Sequence, residues 1–154
     1  MSALSTACYL AHEKAKKISN IHPNRMVIGA DQVLECDNMW FEKPHNIAMA
    51  RNTLNLLRNK THTLFAGVSA AFDGKIVWST CDQAELTMRD FSDDFLNQYI
   101  KTEGAKILSS VGAYRIEEQG LQLFSKINGD YFTVLGLPVM VLLEFLRCEG
   151  FLRY

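Results

Sequence analysis

The stretch Val27–Pro44, VIGADQVLECDNMWFEKP, constrains the fold more than any other. The apolar run Met26–Ile28 suits a buried strand, because β-branched and other apolar side chains fit a pleated surface covered on both sides. Gly29 and Ala30 follow, small enough to let a ligand approach the backbone, and then comes a lone acid, Asp31. Apolar residues resume at Val33 and Leu34. A carboxylate beside such a run is costly to bury unless it meets a cation, a metal or a hydrogen-bond donor. Lys43-Pro44 closes the stretch and places a base beside the same potential pocket. On composition alone the plainer reading is favoured: a strand end with a solvated Asp31, then Lys43 in a turn.

At 154 residues the chain is read as one domain with length enough for a sizeable core. An apolar fraction of 48% with 21% charged residues is that of a soluble globular protein. The net charge of −1 supplies no global basic field, so no nucleic-acid partner is expected. Cys8, Cys36, Cys81 and Cys148 are far apart and form no CxxC pair. They read as four reduced, partly buried thiols of a cytosolic protein. His12, His22, His45 and His62 are equally dispersed, which argues against a histidine-based metal site. No stretch reaches the roughly 18 apolar residues of a membrane span. The N-terminal stretch carries its charges after its apolar part, the reverse of a secretory signal. A cytoplasmic location with no membrane partner follows.

Helix and strand signals alternate. Ala3–Ile18 is predicted helical, with Leu4, Ala7, Cys8, Ala11, Ala15 and Ile18 on one face, Ser2 as N-cap and Asn20 with Pro23 as the stop. Lys14, Lys16 and Lys17 suit the negative end of that helix dipole. A strand is predicted over Arg25–Glu35, a turn at Asp37-Asn38, and a short extended return at Met39–Phe41. Asn46 caps a helix over Ile47–Leu57. Strands over Thr61–Phe72 and Lys75–Met88 flank the hairpin signal Asp73-Gly74. Ser92 and Asp93 open a helix that Gly104 ends. Gly112–Ile116 is a short strand candidate. Periodicity leaves Leu121–Ile127 open between helix and strand. Tyr131–Leu135 reads as a strand, and Val139–Arg147 as a closing helix with Pro138 near its first turn. The sum is an α/β layered fold with a mixed sheet.

Several segments together resemble one family, the Maf-like nucleoside triphosphate pyrophosphatases. They are Glu13-Lys14-Ala15, Val27–Asp31, Lys43-Pro44, Leu56-Leu57 through Thr61-His62-Thr63, Gly112-Ala113-Tyr114, and Ile127–Tyr131 running to Gly136-Leu137-Pro138. Each is weak alone; their order and spacing together are specific. The resemblance implies a layered mixed β-sheet flanked by helices, of the inosine triphosphate pyrophosphatase-like superfamily. It implies hydrolysis of a nucleoside triphosphate between the α and β phosphates, giving a monophosphate and pyrophosphate, as house-cleaning of canonical or modified nucleotides. It further implies Asp31 as catalytic base and metal ligand, Lys14 and Lys43 on the substrate phosphates, a divalent cation, usually Mg²⁺, and a homodimer. The residue types agree with that chemistry: Mg²⁺ takes oxygen ligands, and ammonium groups offset the charge that grows on leaving pyrophosphate.

The chain departs from the family pattern at several places. Gln32 stands where the family has Thr, Ala66 where a Thr is common, and Glu117 where a Gln is usual. Leu108–Val111 replace a Lys-Ala-Gly run. Gln32 and Glu117 are therefore candidate substrate or metal contacts, with solvent as the alternative for Glu117. Members of the family carry a strand, an SxSxxR phosphate loop and a helix ahead of the segment matching Ala3–Ile18, so an N-terminally shortened version of the fold is expected. The alternative reading is a catalytically impaired paralogue that binds nucleotides or regulates.

Overall fold

The computed structural model describes all residues, 1–154. Its elements run α1 (Ala3–Ser19), β1 (Met26–Cys36), β2 (Met39–Phe41), α2 (Ile47–Leu57), β3 (Thr61–Phe72), β4 (Lys75–Met88), α3 (Asp93–Glu103), β5 (Phe124–Asn128), α4 (Tyr131–Val134) and α5 (Val139–Cys148). The strands hydrogen-bond in the order β2-β1-β3-β4-β5. This is the α/β architecture that the alternation of helix and strand signals implies. The residues form two compact units. The first comprises Met1–Val33, Phe65–Ala84 and Gly129–Tyr154; the second comprises Leu34–Leu64 and Glu85–Asn128.

In the first unit, helices cover both faces of the sheet, and strand alternation sorts the contacts. Val33, Phe65 and Cys81 pack with Ala3 and Ala7 of α1. Met26, Val68, Ala70 and Trp78 pack with Leu142 and Phe145 of α5. Odd-numbered positions of β1, β3 and β4 thus meet α1, and even-numbered positions meet α5. The Trp78 and Phe145 rings stack with centroids 4.6 Å apart.

The face that α1 buries is narrower than its apolar pattern predicts. Ala3, Ala7, Ala11, Ala15 and Ser19 are buried, while Leu4 and Ile18 are exposed. The reason lies on the sheet. A Cβ at Gly29 would stand 2.6 Å from the Ala11 carbonyl oxygen and the Ala15 nitrogen, and one at Gly67 would stand 2.5 Å from the Ala7 carbonyl oxygen. Helix and strand backbones touch, so only small residues fit between them. The register of α1 is closed at its far end by Ser19, whose Oγ accepts from Gly74 N at 3.0 Å.

The sulfurs of Cys8 of α1 and Cys81 of β4 are brought together, Cα atoms 6.0 Å apart, while Cys36 and Cys148 stand alone. Two of the four expected thiols are therefore neighbours, placed to form a disulfide under oxidising conditions. The two lie 73 residues apart in the chain, and only the docking of α1 brings them together.

The second unit begins with a tight hairpin. Leu34 pairs with Phe41 and Cys36 with Met39, antiparallel. Asp37 and Asn38 both have positive φ, 52° and 62°, as a two-residue turn requires. Asn46 and Ser92 cap α2 and α3 as expected. These helices pack on each other and on a 3-10 segment, Gly104–Ser109. β4 and β5 pair antiparallel, Leu86 opposite Ile127.

Three segments differ from their sequence signals. Gly112–Ile116 is not a strand: Ala113 has φ 57° and the segment turns, burying Tyr114. The undecided segment splits into a 3-10 turn, Gln119–Leu123, and then β5. Tyr131–Leu135 is helical rather than extended. Asp130 accepts from Thr133 N at 3.1 Å, an N-cap that starts a helical turn, and Gly136 with Pro138 ends it. Aromatic and β-branched content gave the strand signal, and the cap overrode it.

Candidate active site

Asp31 stands two residues beyond Gly29 on β1, on the face that α1 covers. The close approach at Gly29 brings the Lys14 stem alongside. Long helical side chains lean toward the helix N-terminus, which carries the Lys14 ammonium back to the level of Asp31. Lys14 Nζ contacts Asp31 Oδ1 and also donates to the Ala30 carbonyl at 3.3 Å. The Asp31 side chain is 18% exposed and that of Lys14 57%. An acid that the sequence leaves beside a buried strand therefore has its cation, from the preceding helix, on a site open to solvent.

The oxygen pair of Asp31 Oδ1 and Ala30 O already holds one cation, the Lys14 ammonium. Carboxylate and carbonyl oxygens are also what a hard divalent ion takes, and Mg²⁺ is commonly held by one or two carboxylates together with substrate phosphates. Asp31 is the single carboxylate of this arrangement, and no group of three or more His, Cys, Asp or Glu side chains stands together to hold an ion.

Gln32 points to the opposite face of β1. Its Nε2 donates to the carbonyls of Thr133, 3.0 Å, and Val134, 3.2 Å. These carbonyls stand at the C-terminal end of the four-residue helix α4; that of Thr133 also accepts from Gly136 N at 3.0 Å. Thr133, fully buried, donates its hydroxyl to Asp82 Oδ2 at 2.6 Å. Neither Asp82 nor Thr133 stands out in the sequence. The one available signal was Asp130 three residues before Thr133, the spacing of an N-cap.

Lys43 and Glu117 belong to the second unit. Lys43 is exposed, just after β2 and before the buried Pro44. Glu117 accepts from Arg115 Nε at 3.2 Å, within its own turn. In the same unit His62 is buried. One ring nitrogen, Nε2, lies 2.8 Å from Tyr114 Oη, and the other, Nδ1, has no partner. Burial lowers the His62 pKa to about 4 and raises that of Tyr114. His62 is a neutral packing residue rather than a proton shuttle. Of the residues singled out from the sequence, Lys14 and Asp31 are brought together by α1 and β1; Gln32 is turned to α4.

A profile of the Maf-like protein family matches residues 2–149. A nucleoside triphosphate pyrophosphatase of Paramagnetospirillum magneticum is 50% identical over 141 residues, 92% of this chain and 73% of that protein. One of Rhodospirillum rubrum is 45% identical over 152 residues, 99% of this chain and 75% of that protein. A 7-methyl-GTP pyrophosphatase of Rhizobium etli is 45% identical over 146 residues, 95% and 73% respectively. Relatives of these names, at this identity and coverage, place the chain in a nucleotide-hydrolase class of protein. The chain belongs to the Maf-like family.

Proposed function

We propose that this protein hydrolyses nucleoside triphosphates to nucleoside monophosphate and pyrophosphate. The observation that carries the reading is the Lys14–Asp31 pair on the solvent-open side of β1, in a chain whose relatives bear the name of that activity. In this mechanism Asp31 orients a water and takes its proton as the oxygen attacks the α-phosphorus. The bond to the bridging oxygen breaks, and pyrophosphate leaves with an added negative charge. Lys14 offsets that charge. Water attack and departure of pyrophosphate leave the protein unchanged once Asp31 returns its proton to solvent and is a carboxylate again. Asp31 is the residue that would hold a divalent cation such as Mg²⁺ beside the substrate, and the ion would supply further charge neutralisation.

In the free protein the Lys14 ammonium compensates Asp31. An arriving triphosphate offers Lys14 a phosphate in place of the carboxylate, so the ammonium is not left unpaired. Modified as well as canonical nucleotides belong to the substrate range, since one relative carries the name 7-methyl-GTP pyrophosphatase. The protein is further read as a homodimer of the cytoplasm. No helix is long and apolar enough to cross a membrane.

The test is pyrophosphate release with Mg²⁺ against the canonical nucleoside triphosphates, their deoxy forms and 7-methyl-GTP. Release that is lost in Asp31→Asn supports the assignment and ranks the substrates. Nucleotide binding without turnover by the wild type overturns it in favour of a binding protein. Sedimentation of the same preparation reads the dimer directly.

A further inference from the structure

We infer that Asp82 and Thr133 are positioning residues for the reaction: through Gln32 they fix, from behind, the strand that carries Asp31. The inference rests on the proposed activity for its kinetic readout and on geometry for its origin. Asp31 and Gln32 are adjacent on β1 and face opposite ways. Lys14 contacts the front of this dipeptide, and α4 holds its back.

The back contact is a continuous polar chain. Asp82 Oδ2 accepts from Thr133 Oγ1 at 2.6 Å, and Asp82 Oδ1 accepts from Gln83 N at 2.9 Å. Both carboxylate oxygens are thus engaged in holding structure, which separates Asp82 from a catalytic role. Thr133 N is held in turn by Asp130 Oδ2 at 3.1 Å. With its amide and hydroxyl both anchored, Thr133 presents its carbonyl, and that of Val134, to Gln32 Nε2. Gln32 Nε2 has two acceptors on α4, which hold the side chain in one orientation and pin β1 at the residue after Asp31.

A helix of four residues does not hold its own shape in water. Its position here depends on side-chain hydrogen bonds at each end, and the Asp82–Thr133 bond ties it to β4. Removing that bond frees α4 to shift, and Gln32 with it. Displacements on the order of 1 Å at a reacting group cost about 100-fold in rate. The expected loss appears in kcat, because the phosphate-binding lysines are not part of the chain.

The experiment compares Thr133→Val, Asp82→Ala and Thr133→Ser with the wild type, each alone and in a Gln32→Ala background, all at a temperature where every variant is folded. The readouts are kcat and KM for pyrophosphate release, and the side-chain amide resonances of Gln32. Thr133→Val and Asp82→Ala are expected to lower kcat about 10- to 100-fold with KM within about twofold. Thr133→Ser keeps the hydroxyl and is expected to retain the wild-type rate. In the Gln32→Ala background, Thr133→Val is expected to add no further loss, since the two act through one chain. A wild-type kcat in Thr133→Val, or a loss that simply multiplies with that of Gln32→Ala, overturns the inference. Should the wild type release no pyrophosphate, the proposed activity fails, and the clasp is judged by resonance alone. Gln32 amide protons held apart and slow to exchange in the wild type and in Thr133→Ser, but free in Thr133→Val, sustain it; identical spectra overturn it.

Discussion

Lys14 Nζ lies against Asp31 Oδ1 and donates to the Ala30 carbonyl at 3.3 Å, so the acid in the middle of β1 is met by a cation from the last turns of α1. With more than half of the Lys14 side chain in solvent, the pair contributes little to stability, about 0–1 kcal/mol by the behaviour of exposed ion pairs. Asp31→Asn is therefore expected to abolish pyrophosphate release while moving the melting temperature by no more than about 4 °C. Lys14→Met is expected to lower kcat about 100-fold, as loss of one group that offsets transition-state charge does. A large loss of stability with activity retained in Asp31→Asn would show that the acid is structural.

Gly29 tests whether the close approach of α1 creates the site. Its missing Cβ is what allows the Ala11 carbonyl and Ala15 nitrogen to sit where a methyl would clash at 2.6 Å. Both obstructing atoms are backbone, so neither can swing aside. Gly29→Ala is expected to cost about 1–3 kcal/mol and lower the melting temperature by roughly 3–10 °C. It is also expected to lift α1 off the strand and part Lys14 from Asp31, so that the folded fraction loses activity as Lys14→Met does. Thermal scans and kinetics on the same variant check both. Unchanged stability would mean that α1 does not lie as close to β1 as described.

Much of this arrangement was legible in the sequence, for local reasons. Ser2, Asn46 and Ser92 cap helices because their oxygens meet backbone N–H groups a turn away, and that spacing is visible in the chain. Asp37-Asn38 and Asp73-Gly74 adopt the positive φ values that tight hairpins need. The approach of α1 was less legible. Hydrophobicity put Leu4 and Ile18 on the buried face, whereas contact between helix and strand backbones selects for small size and placed Ala3 and Ser19 there instead. Tyr131–Leu135 misled because a one-turn helix has no periodicity, and only the Asp130 cap marks it. The Asp82–Thr133 and Cys8–Cys81 contacts span 51 and 73 residues, and no local pattern carries such information.

The cysteine pairing has its own check. Protein kept under oxidising conditions and unfolded without reductant is expected to show two reactive thiols, those of Cys36 and Cys148. Reduction should raise the count by the pair Cys8 and Cys81. Cross-links that close loops of this length contribute about 2–4 kcal/mol. Cys81→Ser is thus expected to lower the melting temperature in the absence of reductant and to match the wild type in its presence. Four reactive thiols before reduction would exclude the bond.

His62 makes stability depend on pH. Unfolded, its imidazole titrates near the ordinary value of 6.5; folded, burial holds it neutral down to about 4. Between those values the unfolded chain binds the proton that the folded chain refuses. The stabilisation is complete above about pH 6.5 and is lost as the pH falls toward 4. The shift corresponds to roughly 3 kcal/mol across the window. His62→Gln keeps a polar side chain for Tyr114 Oη, which lies 2.8 Å from the imidazole, but cannot titrate. Urea denaturation at pH 7 and pH 4.5 is expected to show the wild type losing more stability than His62→Gln, the difference being the histidine's share. Equal losses in both proteins would mean that the folded chain lets His62 protonate, and hence that the ring is not sealed in the second unit.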